Sequence, residues 1–86
     1  MPIQIEEILG SKNKIKLIKL FLEHEIVPLS YIRKRININY RDLKSYLSNL
    51  IRAEIIKEYD ADGIKIYELN QENPKVKLLR ELFKEW

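Results

Sequence analysis

The chain has 86 residues, of which 45% are hydrophobic and 34% are charged, and its net charge is +3. At roughly 100–200 residues per domain this length predicts one domain, 1–86, and the composition argues against a disordered chain. The absence of Cys excludes disulfides and thiolate metal sites and fits an intracellular, cytoplasmic protein. Apolar runs never exceed three residues, and residues 1–7 lack the basic and apolar regions of a signal peptide, so we expect neither a membrane span nor a leader.

Two helices are predicted at the start of the chain. The first covers residues 2–9, and Gly10 follows where a glycine commonly ends a helix. The second runs from about Lys12 to His24, because the Ser11 hydroxyl can accept a backbone N–H of the next turn. Apolar residues on one side of this second helix are expected to form its buried stripe: Ile15, Leu17, Ile18, Phe21 and Leu22.

A short third helix is predicted next. It follows residues 25–28, which read as a brief strand or an extended link because Pro28 keeps its predecessor out of the helical conformation. The helix is expected to begin with Ser30 as its cap and to run to about Ile36, with Ile32 and Ile36 facing inward.

A fourth helix follows a tight turn of three residues, 37–39. Asparagine is a favoured N-cap, so Asn39 should begin a helix that runs from Tyr40 to about Ala53. Apolar residues three or four positions apart predict the buried face of this helix: Leu43, Leu47 and Leu50.

A β-hairpin and a final helix complete the chain. After residue 55 the hydrophobic period falls from about 3.6 to 2, which is typical of strands, and Asp62-Gly63 is a strong signal for a hairpin turn. Asn73 as a cap and Pro74 as the first helical residue predict where the last helix begins.

The predicted fold class is α+β, mainly α, and the architecture is a winged helix-turn-helix. The helix-turn-helix should occupy about 29–53, and a short two- to three-stranded antiparallel wing sheet about 55–69. Helices flank this unit on both sides, the C-terminal one at about 74–86.

The positive charge is concentrated in the middle of the chain. Residues 30–52 carry six basic side chains and one acidic one, a net charge of +5, whereas residues 1–29 and 53–86 have net charges of 0 and −2. A concentrated basic segment is the electrostatic footprint of a polyanion binder. The alternative is an ordinary solvated helix face, but such faces usually mix both signs of charge.

The basic segment coincides with the predicted helix-turn-helix, which points to DNA. The second helix of such a unit enters the major groove, which is about 12 Å wide and admits one α-helix. Arg41 and Lys44 are therefore placed to donate hydrogen bonds to guanine or phosphate. Further polar contacts are expected from the same helix and its cap, at Asn39, Tyr40, Ser45 and Ser48. Phosphate contacts are expected from the preceding helix and the wing, at Arg33, Lys34, Arg35 and Lys65.

Three segments also carry a resemblance to a known family. They are Leu9-Gly10-Ser11-Lys12, the spacing of Leu43, Leu47 and Leu50 into Ile55-Ile56, and Tyr67-Glu68-Leu69-Asn70 with Asn73-Pro74. Over nearly the whole chain the sequence resembles the small archaeal winged-helix transcriptional regulators. The resemblance implies sequence-specific binding to double-stranded DNA, usually as a homodimer, that represses or activates transcription. The recognition positions that it implies are Asn39, Tyr40, Arg41, Lys44, Ser45 and Ser48.

The chain departs from that family in two places. Many relatives have Gly just before the first wing strand, where this chain has Ala53-Glu54, so we expect a non-Gly residue in a strained conformation at the helix end. Asp60 and Asp62 also make the wing tip acidic. Carboxylates repel phosphates, so a wing contact with DNA would depend on Lys57 and Lys65.

A homodimer is the predicted assembly. A wide apolar stripe at a chain end, in a protein with little core, is typical of a dimer seam. We expect that seam in the terminal helices, at Ile5, Ile8, Val76, Leu79, Phe83 and Trp86.

No catalytic or cofactor site is predicted. His24 is the only His and there is no Cys, so a metal site or a nucleophile–His pair would be incomplete. No effector ligand can be inferred. Two functions other than specific DNA binding remain open: a winged-helix protein–protein interaction module, which the acidic wing would suit, and a non-specific architectural DNA binder.

Overall fold

The computed structural model describes residues 12–84, which form four helices and a three-stranded sheet. In chain order the elements are α1 (Lys12–His24), β1 (Ile26–Pro28), α2 (Leu29–Arg35), α3 (Tyr40–Arg52), β2 (Ile56–Ala61), β3 (Ile64–Leu69) and α4 (Pro74–Phe83). The sheet is antiparallel, with β3 in the centre between β1 and β2. The predicted helix over 2–9, the cap at Ser11, and the dimer residues Ile5, Ile8 and Trp86 lie outside the described residues.

This order of elements confirms the predicted fold class, and several local predictions hold with it. The leucine stripe of α3 is buried at Leu43, Leu47 and Leu50. Asn39 caps α3 by accepting the backbone N–H of Asp42 at 2.8 Å.

The wing forms the predicted hairpin. Asp62 and Gly63 both have positive φ angles, +53° and +83°, which the tight two-residue turn between β2 and β3 requires. Asp60 fixes this turn by accepting the backbone N–H of Gly63 at 2.9 Å. The strand register pairs Asp60 with Lys65 and Glu58 with Tyr67.

One predicted cap is wrong. Ser30 does not cap α2: the helix begins at Leu29, and Pro28 occupies the cap position in an extended conformation with no side-chain hydrogen bond. Because β1 ends at Pro28, the chain passes from strand to helix without a spacer, and Ser30 falls inside the first turn.

The predicted stripe of α1 faces the core. Leu17, Ile18 and Phe21 are buried, and Ile15 and Leu22 are half-buried and pack against the core. Leu20 is buried as well, which the stripe did not include. The Phe21 ring meets the Tyr67 ring edge-on with centroids 6.5 Å apart.

The end of α3 shows the expected strain. Glu54 has φ +60°, a left-handed conformation that glycine adopts more readily. It allows Glu54 N–H to donate to the Ile51 carbonyl at 2.9 Å and Ile55 N–H to the Leu50 carbonyl at 3.0 Å, the paired bonds that commonly end a helix. Asn73 then donates to the Ala53 and Glu54 carbonyls at 3.2 and 2.7 Å, so the strained turn is tied to the start of α4.

Candidate nucleic-acid interface

The outward face of α3 carries a line of polar and cationic side chains. Arg41, Lys44, Ser45 and Ser48 are all exposed, while the leucine stripe on the opposite side is buried. The helical period of 3.6 residues produces this separation, because positions three or four apart recur on one side. The structure therefore brings together four of the predicted contact residues on one accessible surface, which we call the α3 face.

Within the described part of the chain, no carboxylate forms an ion pair with the cations of the α3 face. The ion pairs recorded within residues 12–84 involve His24, Lys65 and Arg80, and none of them involves Arg41 or Lys44. The one carboxylate in the first turn of α3, Asp42, accepts a hydrogen bond from the Asn39 amide at 3.0 Å. Arg41 and Lys44 are thus exposed donors with no ion pair to any of residues 12–84.

Asn39 itself has a structural task. Its carbonyl oxygen accepts from the Asp42 backbone and its amide nitrogen donates to the Asp42 carboxylate, so both ends of the side chain are engaged. A carboxylate in the first turn also interacts favourably with the helix dipole. Asn39 therefore fixes where the α3 face begins, and it lies exposed at that edge.

The cationic end of α2 adjoins the start of α3. Arg33, Lys34 and Arg35 form the last turn of α2, and all three are exposed. The Arg33 guanidinium lies over the Tyr40 ring, 4.9 Å from its centroid, and the Arg35 guanidinium lies 5.6 Å from the ring centroid of Tyr31. These contacts hold two cations beside aromatic rings without cancelling their charge. Tyr31 and Arg35 are four residues apart on one helix, a spacing typical of neighbouring side chains, whereas the contact of Arg33 with Tyr40 depends on how the turn folds.

Lys65 differs from the other predicted contact residues. Its ammonium lies 3.6 Å from a Glu58 carboxylate oxygen and 3.5 Å from an Asp60 carboxylate oxygen. The charge of Glu58 foremost, and then the hydrogen bond and charge of Asp60, raise the pKa of Lys65, so it stays protonated and paired. The Lys65 side chain is 43% exposed, but it is paired and is not a free cation.

A cleft separates the α3 face from the wing. Its lining combines the side of α3 nearest the wing with the inner face of the hairpin: Tyr40, Lys44, Leu47, Ser48, Ile51, Glu58, Lys65 and Tyr67. Burial raises the pKa of the Tyr67 hydroxyl, and the Glu58 carboxylate raises it further, so Tyr67 remains a neutral phenol at the floor of the cleft. Glu58 thus stands across the cleft from the recognition surface that the sequence predicted.

The predicted dimer residues of α4 lie in the core of the single chain. Val76, Leu79 and Phe83 are buried. The apolar residues that α4 exposes are Leu78 and Leu82, at 69% and 41%. An apolar seam on this helix would therefore have to use its other side.

His24 lies on the surface, where its Nε2 is 3.4 Å from the Tyr31 hydroxyl. Across residues 12–84 no three His, Asp or Glu side chains are grouped so that they could hold a metal ion. No helix in the same range is both long enough and apolar enough to cross a membrane.

Comparison with known proteins rests on the fold. No protein-family model matches the chain, and no curated protein sequence is recognisably similar to it. The structure is similar to the crystal structure of an ArsR family transcriptional regulator, with a TM-score of 0.67 over 100% of this chain and 96% of that chain. The two sequences are 12% identical. At that identity the likeness establishes a winged-helix fold.

Proposed function

We propose that this protein is a sequence-specific, double-stranded DNA-binding transcriptional regulator, of the kind that the archaeal winged-helix regulators represent. The observation that carries the proposal is the α3 face, where Arg41 and Lys44 are exposed and unpaired on the second helix of a helix-turn-helix. The structural similarity to an ArsR family transcriptional regulator is consistent with it. Such a protein would act on the chromosome, in the cytoplasm and associated with the nucleoid.

In the proposed complex α3 lies in the major groove. Arg41 and Lys44 donate to guanine edges or to phosphates, and Ser45 and Ser48 add polar contacts along the groove. The cations of the last turn of α2 meet the phosphates beside the groove, which fixes the register of the protein on the duplex. Tyr40 joins these two groups because it touches Arg33 and begins α3.

A homodimer would place two copies of α3 in successive major grooves, about 34 Å apart, on a pseudo-palindromic site. The exposed Leu78 and Leu82 of α4 favour a seam on the outer side of that helix. Val76, Leu79 and Phe83 are buried within the chain, so they would hold α4 on the core of its own subunit and would not contact the partner.

Selection of bound sequences from random duplexes tests the proposal. A sequence-specific regulator should enrich one motif and bind it in the nanomolar range or tighter, with a steep decrease in affinity as salt rises. Equal affinity for unrelated duplexes would instead identify a non-specific architectural DNA binder.

A protein–protein interaction module is the second candidate, and the wing favours it. The outer part of the hairpin is acidic, and it exposes Tyr59 and Ile64, at 48% and 58%. For a module of this kind, the selection from random duplexes would enrich no DNA sequence. Its protein partner would still bind after Arg41 and Lys44 were replaced.

A further inference from the structure

One lysine of the wing is paired with two carboxylates of the same hairpin. Lys65 contacts Glu58 and Asp60 at 3.6 and 3.5 Å, one ammonium between two carboxylates. Asp60 lies directly opposite Lys65 in the strand register, and Glu58 lies two residues before it, so all three side chains emerge on one face of the hairpin. That is the face which lines the cleft beside α3.

Independent contacts hold the cluster in place. The second carboxylate oxygen of Asp60 accepts the Gly63 backbone N–H at 2.9 Å, so Asp60 is fixed by the hairpin turn as well as by Lys65. Glu58 is opposite Tyr67, whose side chain is buried against the core. Lys65 would have to leave two partners to reach any other anion.

The wing and the helix-turn-helix carry net charges of opposite sign. Residues 56–69 carry two basic and four acidic side chains, a net charge of −2, whereas residues 30–52 have a net charge of +5. Phosphates that approach α3 along the cleft would therefore meet Lys44 on one wall and Glu58 on the other. Like charges repel, so the wing opposes contacts with the backbone that the helices favour.

We propose that Glu58 and Asp60 are specificity-determining residues: they withhold Lys65 from the phosphate backbone and so keep the affinity for DNA of arbitrary sequence low. This inference rests on the proposed function. Backbone contacts supply most of non-specific binding, whereas base contacts distinguish sequences. With Lys65 paired, the face of the wing that lines the cleft offers the backbone no free cation, and recognition in the cleft is left to the α3 face.

The test measures binding of the full chain to a random-sequence duplex as salt is varied. Glu58→Gln with Asp60→Asn keeps side-chain size, and the Asn oxygen can still accept from Gly63. Freeing one Lys per chain should raise the affinity about tenfold. Each new phosphate contact steepens the slope of log K against log salt by about 0.9, so a dimer, with two new contacts, should show a slope steeper by about 2. Adding Lys65→Gln to this variant should remove most of the gain, while Lys65→Gln alone should change binding less than about threefold, since Lys65 makes no backbone contact to lose.

The matched control is Asp62→Asn with Glu68→Gln, which removes the same number of charges from the wing without touching Lys65. It should give a clearly smaller gain. The inference is overturned if this control matches the Glu58–Asp60 variant, if that variant gains nothing, or if Lys65→Gln weakens the wild type as much as it weakens the variant. Enrichment of no motif in the selection would instead count against the proposed function, because the random-duplex comparison needs no operator.

Discussion

The Arg33 guanidinium lies over the ring of Tyr40, 4.9 Å from its centroid, and this contact joins the last turn of α2 to the first residue of α3. It spans the turn of the helix-turn-helix, so it couples the cations of α2 to the helix that we propose reads the bases. Tyr40 remains 43% exposed.

Replacing Tyr40 with Ala should therefore affect both stability and binding. Loss of an exposed cation–π contact costs about 0.5–1 kcal/mol, and Arg33 loses the surface that orients it. Tyr40→Phe retains the ring and should unfold in urea at the wild-type concentration. If the Phe and Ala variants have equal stability and equal DNA affinity, the ring has no role in joining the two helices.

The strained end of α3 can be relieved by one substitution. A residue with a side chain in the left-handed conformation costs about 1–2 kcal/mol, so Glu54→Gly should raise the free energy of unfolding by roughly 1 kcal/mol after the greater freedom of Gly in the unfolded chain is subtracted. Glu54→Ala removes the same side-chain charge without relieving φ +60°, and it should give no increase. Urea unfolding of the three proteins measures the difference, and equal midpoints for Gly and Ala would contradict the assignment of strain.

Asn73 supports both the helix that it begins and the turn that precedes the wing. Its carbonyl oxygen accepts the Lys75 N–H at 2.9 Å, while its amide donates to Ala53 and Glu54. Asn73→Ala should destabilise the protein by about 2 kcal/mol, roughly half from the cap and half from the lost hydrogen bonds. Asn37→Ala is the control, because the Asn37 side chain is exposed and makes no recorded hydrogen bond to residues 12–84. A loss no larger than that of the control would show that the turn is held by other contacts.

The proposed seam on α4 predicts a change in assembly. Leu78→Gln with Leu82→Gln removes two exposed apolar side chains without adding charge, and it should convert a dimer into a monomer in sedimentation experiments. Ile26→Thr with Ile64→Thr removes two similarly exposed side chains from the sheet and should leave the dimer intact. A wild-type protein that sediments as a monomer at every accessible concentration would exclude the seam.

The sequence predicted the parts of this fold whose signals are local. Asn39, Asp62-Gly63 and the cap made by Asn73 act on backbone atoms within a few residues, so their positions could be predicted from the sequence. The bonds from Asn73 to Ala53 and Glu54 and the contact of Phe21 with Tyr67 could not, since they join residues distant in the chain.

The same distinction applies to the candidate site. The α3 face follows from helical periodicity alone, and Arg41 and Lys44 lie where that periodicity predicts. The pairing of Lys65 depends on the side chains that the hairpin register places around it. The side of α4 that faces solvent could not be told from sequence, because apolar residues occur on more than one face of that helix.

The most direct test of the account is the affinity of an Arg41→Ala, Lys44→Ala variant for the duplex obtained by selection. Each good base contact contributes about 1–3 kcal/mol of discrimination, so losing two should lower the affinity for this duplex at least about 30-fold, and the salt dependence should become shallower. Lys75→Ala with Lys77→Ala removes the same charge from exposed positions of α4 and should reduce affinity only slightly. Equal losses in the two variants, with both folded, would contradict the assignment of the α3 face as the surface that recognises DNA.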